Sequence, residues 1–390
     1  MQCDYFDAGQ CRSCTLMGVP YGRQVRDKGA DAESLLAPFV SRRADAERVW
    51  LAPVTSIPQG FRNKAKMVVG GTVREPTLGI LDRARRGVDL RSCGLIDPRI
   101  TAIFEPVARL ITRAGLEPYD IPARRGELKN LLATVSPSGD VMVRFVLRST
   151  SRLAALQSRL PDFLAEAPAV RVVSANILPD HKAVLEGERE IPLTPDQRLD
   201  MTLPITQMPP LSLGAKSFFQ TNTDIAAAMY AQAAAWCREI EPHSVWDLYC
   251  GVGGFALACA AQTGIGPVPS EVTGVEVSQE AVEAARASAV AAGITGVRFV
   301  AADATEWARQ QDGSPGLVIV NPPRRGLGPE LSAWLETSNV ANVVYSSCNA
   351  RSLADDLRAM PSLRIRQARL FDMFPQSGHY ETMVSLTRER

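Results

Sequence analysis

The sequence predicts an α/β protein whose C-terminal part is a Rossmann-like domain on a doubly wound, parallel-rich sheet, preceded by an N-terminal α+β region. Three observations predict it. From residue 211 onward, short apolar runs alternate regularly with Ala-rich helical stretches, the signature of strand–helix–strand units. A glycine loop closes the first of those runs, and a carboxylate closes the next one 22 residues later. The opening of the chain is basic and marked by cysteines instead of by this alternation.

The strand candidates of the C-terminal part are 245–249, 272–277, 297–301, 317–320, 342–346, 364–370 and 382–387, with a helix over 279–292 between the second and third. Upstream, Met142 to Leu147 reads as a strand and Leu153 to Leu160 as a helix. Pro192, Pro195, Pro204, Pro209 and Pro210 then punctuate the chain like a linker. Three regions follow: 1–95, 96–210 and 211–390.

Composition bounds the class. At 390 residues, 46% hydrophobic and 22% charged, the chain can fill two cores. No apolar run approaches the roughly 18 residues that span a bilayer, and the opening Met1-Gln2-Cys3-Asp4-Tyr5 is no secretory signal. The expected compartment is the cytoplasm, with no membrane contact. Net charge is only +1, yet residues 1–150 hold 23 basic against 16 acidic side chains, while residues 216–390 hold 14 against 18. The first part is suited to a polyanion.

Val245 to Tyr249 leads into Cys250-Gly251-Val252-Gly253-Gly254, then into the apolar stretch Phe255 to Cys259. Glycines let a backbone turn tightly against a ligand. Glu276, at the end of the second strand, can accept both hydroxyls of a ribose. The loop lacks the GxGxxG spacing and no phosphate-binding lysine follows. An adenosine without phosphates therefore fits better than a dinucleotide, which points to S-adenosylmethionine. Asp303, after the third strand, is placed to reach the adenine edge, and Asn321 in Asn321-Pro322-Pro323-Arg324-Arg325-Gly326 is presented by a proline-fixed turn.

Cys348 ends the buried-strand pattern Val340 to Val344 within Tyr345-Ser346-Ser347-Cys348-Asn349. An arbitrary cysteine is a small buried hydrophobe, and Cys237, Cys250 and Cys259 read that way. A thiol at the carboxyl end of a strand in such a sheet reads as a nucleophile. Glu381, in Gly378-His379-Tyr380-Glu381, is a candidate general base with His379 as a possible orienter. Cys3, Cys11 and Cys14 give C-x7-C-x2-C, and Cys93 supplies a fourth thiol. Four thiolates suit tetrahedral zinc or an iron–sulfur cluster, and spacing does not separate the two.

Phe218-Phe219-Gln220-Thr221-Asn222, Asp247 to Gly254, Asn321 to Gly326, Tyr345 to Asn349 and His379-Tyr380-Glu381 together resemble the RNA 5-methyluridine methyltransferase family. The N-terminal cysteines and Gly60-Phe61-Arg62-Asn63-Lys64-Ala65-Lys66 resemble its branch that methylates one uridine of 23S ribosomal RNA. The resemblance runs essentially end to end. It implies an S-adenosylmethionine-dependent methyltransferase domain behind an iron–sulfur and RNA-binding region. A monomer is expected, and because a stacked uracil cannot present carbon 6, the target uridine is expected to be unpaired or flipped out. The resemblance implies Cys348 as nucleophile and Glu381 as base. Gln220, Tyr249, Glu276 and Asn321, beside Gly251 and Asp303, would bind the cofactor, and Cys3, Cys11, Cys14 and Cys93 would hold a 4Fe-4S cluster. The sequence departs from the family at Asn321, where Asp is frequent, at Tyr249, where Phe is common, and in a longer stretch over 262–270. Arg62, Lys64, Lys66, Arg124, Arg125 and Lys129 are the candidates for RNA phosphates.

Overall fold

The computed structural model describes residues 1–42, 49–181, 184, 186–261 and 269–389. Most of the long stretch noted over 262–270 therefore lies outside the described residues. The chain divides into two compact units. One comprises Met1–Met17 and Pro58–Met201, the other Gly18–Ile57 and Thr202–Arg390.

The first unit is α+β. Its seven-stranded sheet runs in the order Gly87–Asp89, Pro76–Leu81, Lys64–Gly71, Leu128–Val135, Val141–Leu147, Val170–Ile177 and Arg189–Pro192. All neighbours are antiparallel except Val141–Leu147 with Val170–Ile177. That parallel step is bridged by the helix Leu153–Glu166, as a crossover requires. The helix Pro98–Ala114 starts with Pro98 at its first turn and with the Asp97 carboxylate accepting from Arg99 N; it stops at Gly115 in the left-handed conformation. Its Ile103, Phe104, Val107 and Leu110 share one core with Leu131, Ala133, Val143 and Phe145 of the sheet. Strands from both sides of residue 95 build this core, so the expected break at 95/96 falls inside one unit.

The second unit carries an eight-stranded sheet in the order Trp50–Val54, Leu363–Phe371, Glu381–Arg388, Asn342–Ser347, Leu317–Val320, Ser244–Leu248, Glu271–Glu276, Val297–Ala301. Only Glu381–Arg388 runs antiparallel to its neighbours. Seven of these strands match the expected ones to within a residue at each end. The eighth, Trp50–Val54, comes from the N-terminal region. It contains Pro53, which argues against an interior strand but is tolerated at a sheet edge. Together with the helix Tyr21–Leu36 it brings residues 18–57 into this unit, away from the cysteines that precede them. Leu248, Val318, Val320, Val343 and Tyr345 are buried in a core with Leu331 and Leu353 of the flanking helices. No helix among the described residues is long and apolar enough to cross a membrane.

Candidate active site

The glycine loop leaves the strand Ser244–Leu248 through Tyr249, whose φ is +68°. A bulky residue in the left-handed region is uncommon and needs surrounding support. The support is a shared acceptor: Tyr249 N and Cys250 N both donate to Val275 O at 3.0 Å. Gly253 follows at φ +85°, and a Cβ on Gly254 would come within 2.4 Å of the Tyr230 ring, so the loop packs flat onto the helix Thr223–Ile240. Asp247, fully buried, ties the loop from beneath: its Oδ2 accepts from Ala256 N at 2.9 Å. Burial first, and the Glu276 charge after it, push this carboxyl up to about 8.

Glu276 closes the next strand half-buried, accepting from Gly251 N at 3.2 Å through Oε2 and from Ser278 N at 3.0 Å through Oε1. A Cβ on Gly251 would meet nothing within 4 Å, so the loop faces open space at the carboxyl ends of the strands. That opening beside a fixed carboxylate suits an adenosine ligand. Gln220 is buried and Asn321 half-buried. Burial raises the Tyr249 hydroxyl, and a hydrogen bond with Thr305 pulls it back. Asp303 is exposed, and its Oδ1 caps the helix Ala304–Arg309 by accepting from Thr305 N at 2.9 Å and Glu306 N at 3.0 Å. One oxygen of the expected adenine ligand is thus already engaged.

The strand Asn342–Ser347 pairs antiparallel with Glu381–Arg388, ending at Ser347 opposite Thr382. One further step sets Cys348 opposite Glu381. Cys348 is half-buried. Burial raises its thiol, the Glu381 charge raises it further, and Arg324 lowers it. The Asn-Pro-Pro-Arg turn is fastened to the same place, because Arg324 O accepts from Ser352 Oγ at 3.1 Å and Asn349 Nδ2 at 3.4 Å. Glu381 is 3% exposed, its Oε2 has no hydrogen-bond partner among the described residues, and burial pushes it up to about 8. His379 is exposed, its ring edge-on to Phe374 with centroids 6.4 Å apart. Cys237, Cys250 and Cys259 are all buried.

In the other unit, Cys14 and Cys93 pack with Phe61 and Leu95. The Cys14 thiol is pushed up to about 11, first by burial and then by Cys93, Cys11 and Cys3, with Arg62 opposing. The other thiols thus bear on Cys14 and Cys93, and four thiolates as a donor set suit a cluster or zinc. Yet no group of three or more His, Cys, Asp or Glu among the described residues is spaced to hold a metal ion.

Sequence reasoning missed a buried ion pair. Asp372, just past the expected strand 364–370 and given no role there, pairs with Lys28 at 2.6 Å. A lone lysine among charged helical residues carries no signal of such a partner 344 positions away.

Sheet order, glycine loop and terminal carboxylate define the α/β fold of methyltransferases that use S-adenosylmethionine. The structure is similar in fold to the Pyrococcus abyssi tRNA (uracil-54, C5)-methyltransferase crystallised with S-adenosyl-L-homocysteine, with a TM-score of 0.77 and 23% identity over 96% of this chain and 86% of that one. A family model described as tRNA (Uracil-5-)-methyltransferase matches residues 211–389. The chain is 46% identical to the 23S rRNA (uracil(747)-C(5))-methyltransferases RlmC of Yersinia pestis (strain Pestoides F) and Serratia proteamaculans (strain 568), over 391 and 389 residues and 100% of each chain. The chain belongs to this RlmC family of uracil-C5-methyltransferases.

Proposed function

We propose that the chain transfers a methyl group from S-adenosylmethionine to carbon 5 of one uridine in 23S ribosomal RNA, the one equivalent to position 747 in its relatives' names. The observation that carries this is the antiparallel register of Asn342–Ser347 with Glu381–Arg388, whose last pair is Ser347–Thr382 and which leaves Cys348 and Glu381 at the next opposed positions, near enough for the Glu381 charge to raise the thiol. Uracil carbon 5 is a weak nucleophile. When the Cys348 thiolate adds to carbon 6, the ring becomes an enolate and carbon 5 gains electron density. Carbon 5 then takes the methyl group as the bond from that group to the donor's sulfur breaks and the sulfur keeps the electron pair. Glu381 removes the remaining carbon-5 proton, the carbon 5–carbon 6 double bond re-forms, and the thiolate leaves.

Glu276 and Gly251 would hold the ribose, with Gln220, Tyr249, Asn321 and Asp303 around the rest of the cofactor, which supplies the methyl group. A stacked uridine cannot present carbon 6, so the target is unpaired or flipped out. The substrate implies a cytoplasmic enzyme. Cys3, Cys11, Cys14 and Cys93 would hold a 4Fe-4S cluster; what supports this is the donor set of four thiols and the rise that the others impose on Cys14 and Cys93. A tRNA substrate is not favoured, since the relatives that are 46% identical over the whole chain are named for 23S rRNA.

The test is methyl transfer from labelled cofactor to 23S rRNA and to bulk tRNA, followed by mapping of the modified uridine. Incorporation at one 23S uridine is expected. Label in tRNA alone would overturn the substrate assignment.

A further inference from the structure

Glu381 presents a problem of orientation. Its Oε2 is buried without a partner among the described residues, so hydrogen bonds to that oxygen do not aim the carboxyl. Its direction must come from the backbone on either side. Downstream lies the strand Glu381–Arg388. Upstream lies the segment from Asp372 to Tyr380, which contains no helix or strand.

That segment is held by one face of the helix Tyr21–Leu36. Gln24, Lys28 and Asp31 follow one another at helical spacing and so line the same side. Gln24 makes a reciprocal pair with Gln376: its Nε2 donates to Gln376 Oε1 at 3.0 Å, and Gln376 N donates to Gln24 Oε1 at 2.9 Å. Gln376 sits at φ +67°, a conformation a glutamine holds only when fastened. Lys28 Nζ donates to Asp372 Oδ1 at 2.6 Å and to Phe374 O at 3.1 Å. Tyr380, next to Glu381, donates its hydroxyl to Asp31 Oδ2 at 2.6 Å.

The Lys28–Asp372 pair is the informative member, with side chains 3% and 0% exposed. Desolvating two charges offsets most of their attraction, so apolar residues of similar volume would serve stability as well or better. In some proteins a buried pair instead selects one geometry over its neighbours.

We infer that the helix Tyr21–Leu36, through Lys28 on Asp372 and Asp31 on Tyr380, is a positioning device that sets the angle at which Glu381 meets the Cys348 adduct. The inference rests on the reading of Glu381 as the base. Lys28 and Asp372 are positioning residues and touch no reacting atom. Their loss would leave thiolate addition and methylation intact and slow only the proton removal that releases the product.

The test follows two rates separately in single turnover with 23S rRNA: appearance of the covalent protein–RNA adduct on a denaturing gel, and its resolution to methylated product. The paired variant Lys28→Met with Asp372→Leu keeps the volume and removes both charges. It should form adduct at the wild-type rate and resolve it about 10- to 100-fold more slowly, short of the roughly 10²- to 10⁴-fold that a general base contributes in full, with KM for RNA and cofactor unchanged. Tyr380→Phe, which deletes one hydroxyl and keeps the ring packed, should slow resolution several-fold in the same selective way, and keeps the test decisive if the paired variant does not fold. Glu381→Gln is the reference. If it accumulates adduct while the folded positioning variants resolve theirs at the wild-type rate, the inference is overturned and the base assignment stands. Equal slowing of adduct formation and resolution would also overturn it, because a general loosening slows both. Wild-type resolution in Glu381→Gln would remove the base assignment itself.

Discussion

Cys348 stands one register step beyond the Ser347–Thr382 pair, across the sheet from Glu381, and the Glu381 charge raises the Cys348 thiol. The two groups therefore compete for ionisation while the proposed chemistry needs both deprotonated in turn. Burial pushes Glu381 up to about 8, and burial is also the first cause of the raised thiol. Both act on the same side of the profile: protonation disables the thiol as nucleophile and the carboxyl as base. Single-turnover rates should climb by roughly tenfold or more between about pH 6.5 and about pH 8.5. Arg324 opposes the shift, so Arg324→Ala should move the rise to higher pH. A flat profile over that range would contradict the assignment of either group.

Removing the thiol gives the sharpest loss. In Cys348→Ala, turnover and adduct should both vanish, a drop of at least about 10³-fold, while cofactor binding measured calorimetrically stays within about twofold of wild type. Retained turnover would exclude the covalent route.

Asp247 supplies a stability prediction. Its carboxyl is raised to about 8 by burial and then by Glu276, against about 3.9 in an unfolded chain. The native state thus keeps a proton that the unfolded state has lost. The contribution is full below about pH 4 and declines as pH rises to and through about 8, on the order of a few kcal/mol in total. Asp247→Asn keeps an acceptor for Ala256 N and removes the titration. Denaturant midpoints between about pH 5 and about pH 9 should fall less steeply in this variant than in wild type. Equal slopes would show that Asp247 titrates normally.

The doubly wound sheet was legible because each of its strands is a short apolar run bounded by turn residues, such as Leu317-Val318-Ile319-Val320 before Asn321-Pro322. Chemistry-bearing residues at strand ends, Glu276 and Cys348 among them, could be read for the same reason. The membership of residues 18–57 in that unit was not legible. Trp50–Val54 carries a proline, and the helix Tyr21–Leu36 buries Gln24 and Lys28, polar residues that hide its inward face. Tyr249 was equally opaque: three glycines beside it offered easier places for a turn, and only the shared acceptor at Val275 O explains its φ.

The four N-terminal cysteines make a spectroscopic prediction. Protein purified without oxygen should be brown, with broad visible absorbance that bleaches on reduction, and should contain about four irons per chain. Cys14→Ser should lose the colour and most of the iron. A colourless wild type with one zinc would replace the cluster by a tetrahedral site, and a metal-free, fully active wild type would remove both.

The structure divides the expected RNA contacts, and salt dependence can read the division. Lys129 is only 8% exposed; its Nζ donates to Asp180 O at 2.7 Å and lies 4.7 Å from the Tyr119 ring centroid. Such a lysine is committed to its own fold, and its ordinary affinity for a proton is lowered by burial. Lys66, Arg124 and Arg125 are exposed and remain free to meet phosphate. Each phosphate contact releases counterions, so its loss lowers the slope of log affinity against log salt by about 1. Lys66→Ala, Arg124→Ala or Arg125→Ala should therefore weaken RNA binding and flatten its salt dependence. Lys129→Ala should lower the unfolding midpoint and leave the slope unchanged. If Lys129→Ala instead flattens the slope while Lys66→Ala does not, the anionic partner meets the first unit on the side where Lys129 is buried, which would require that lysine to leave Asp180 on binding.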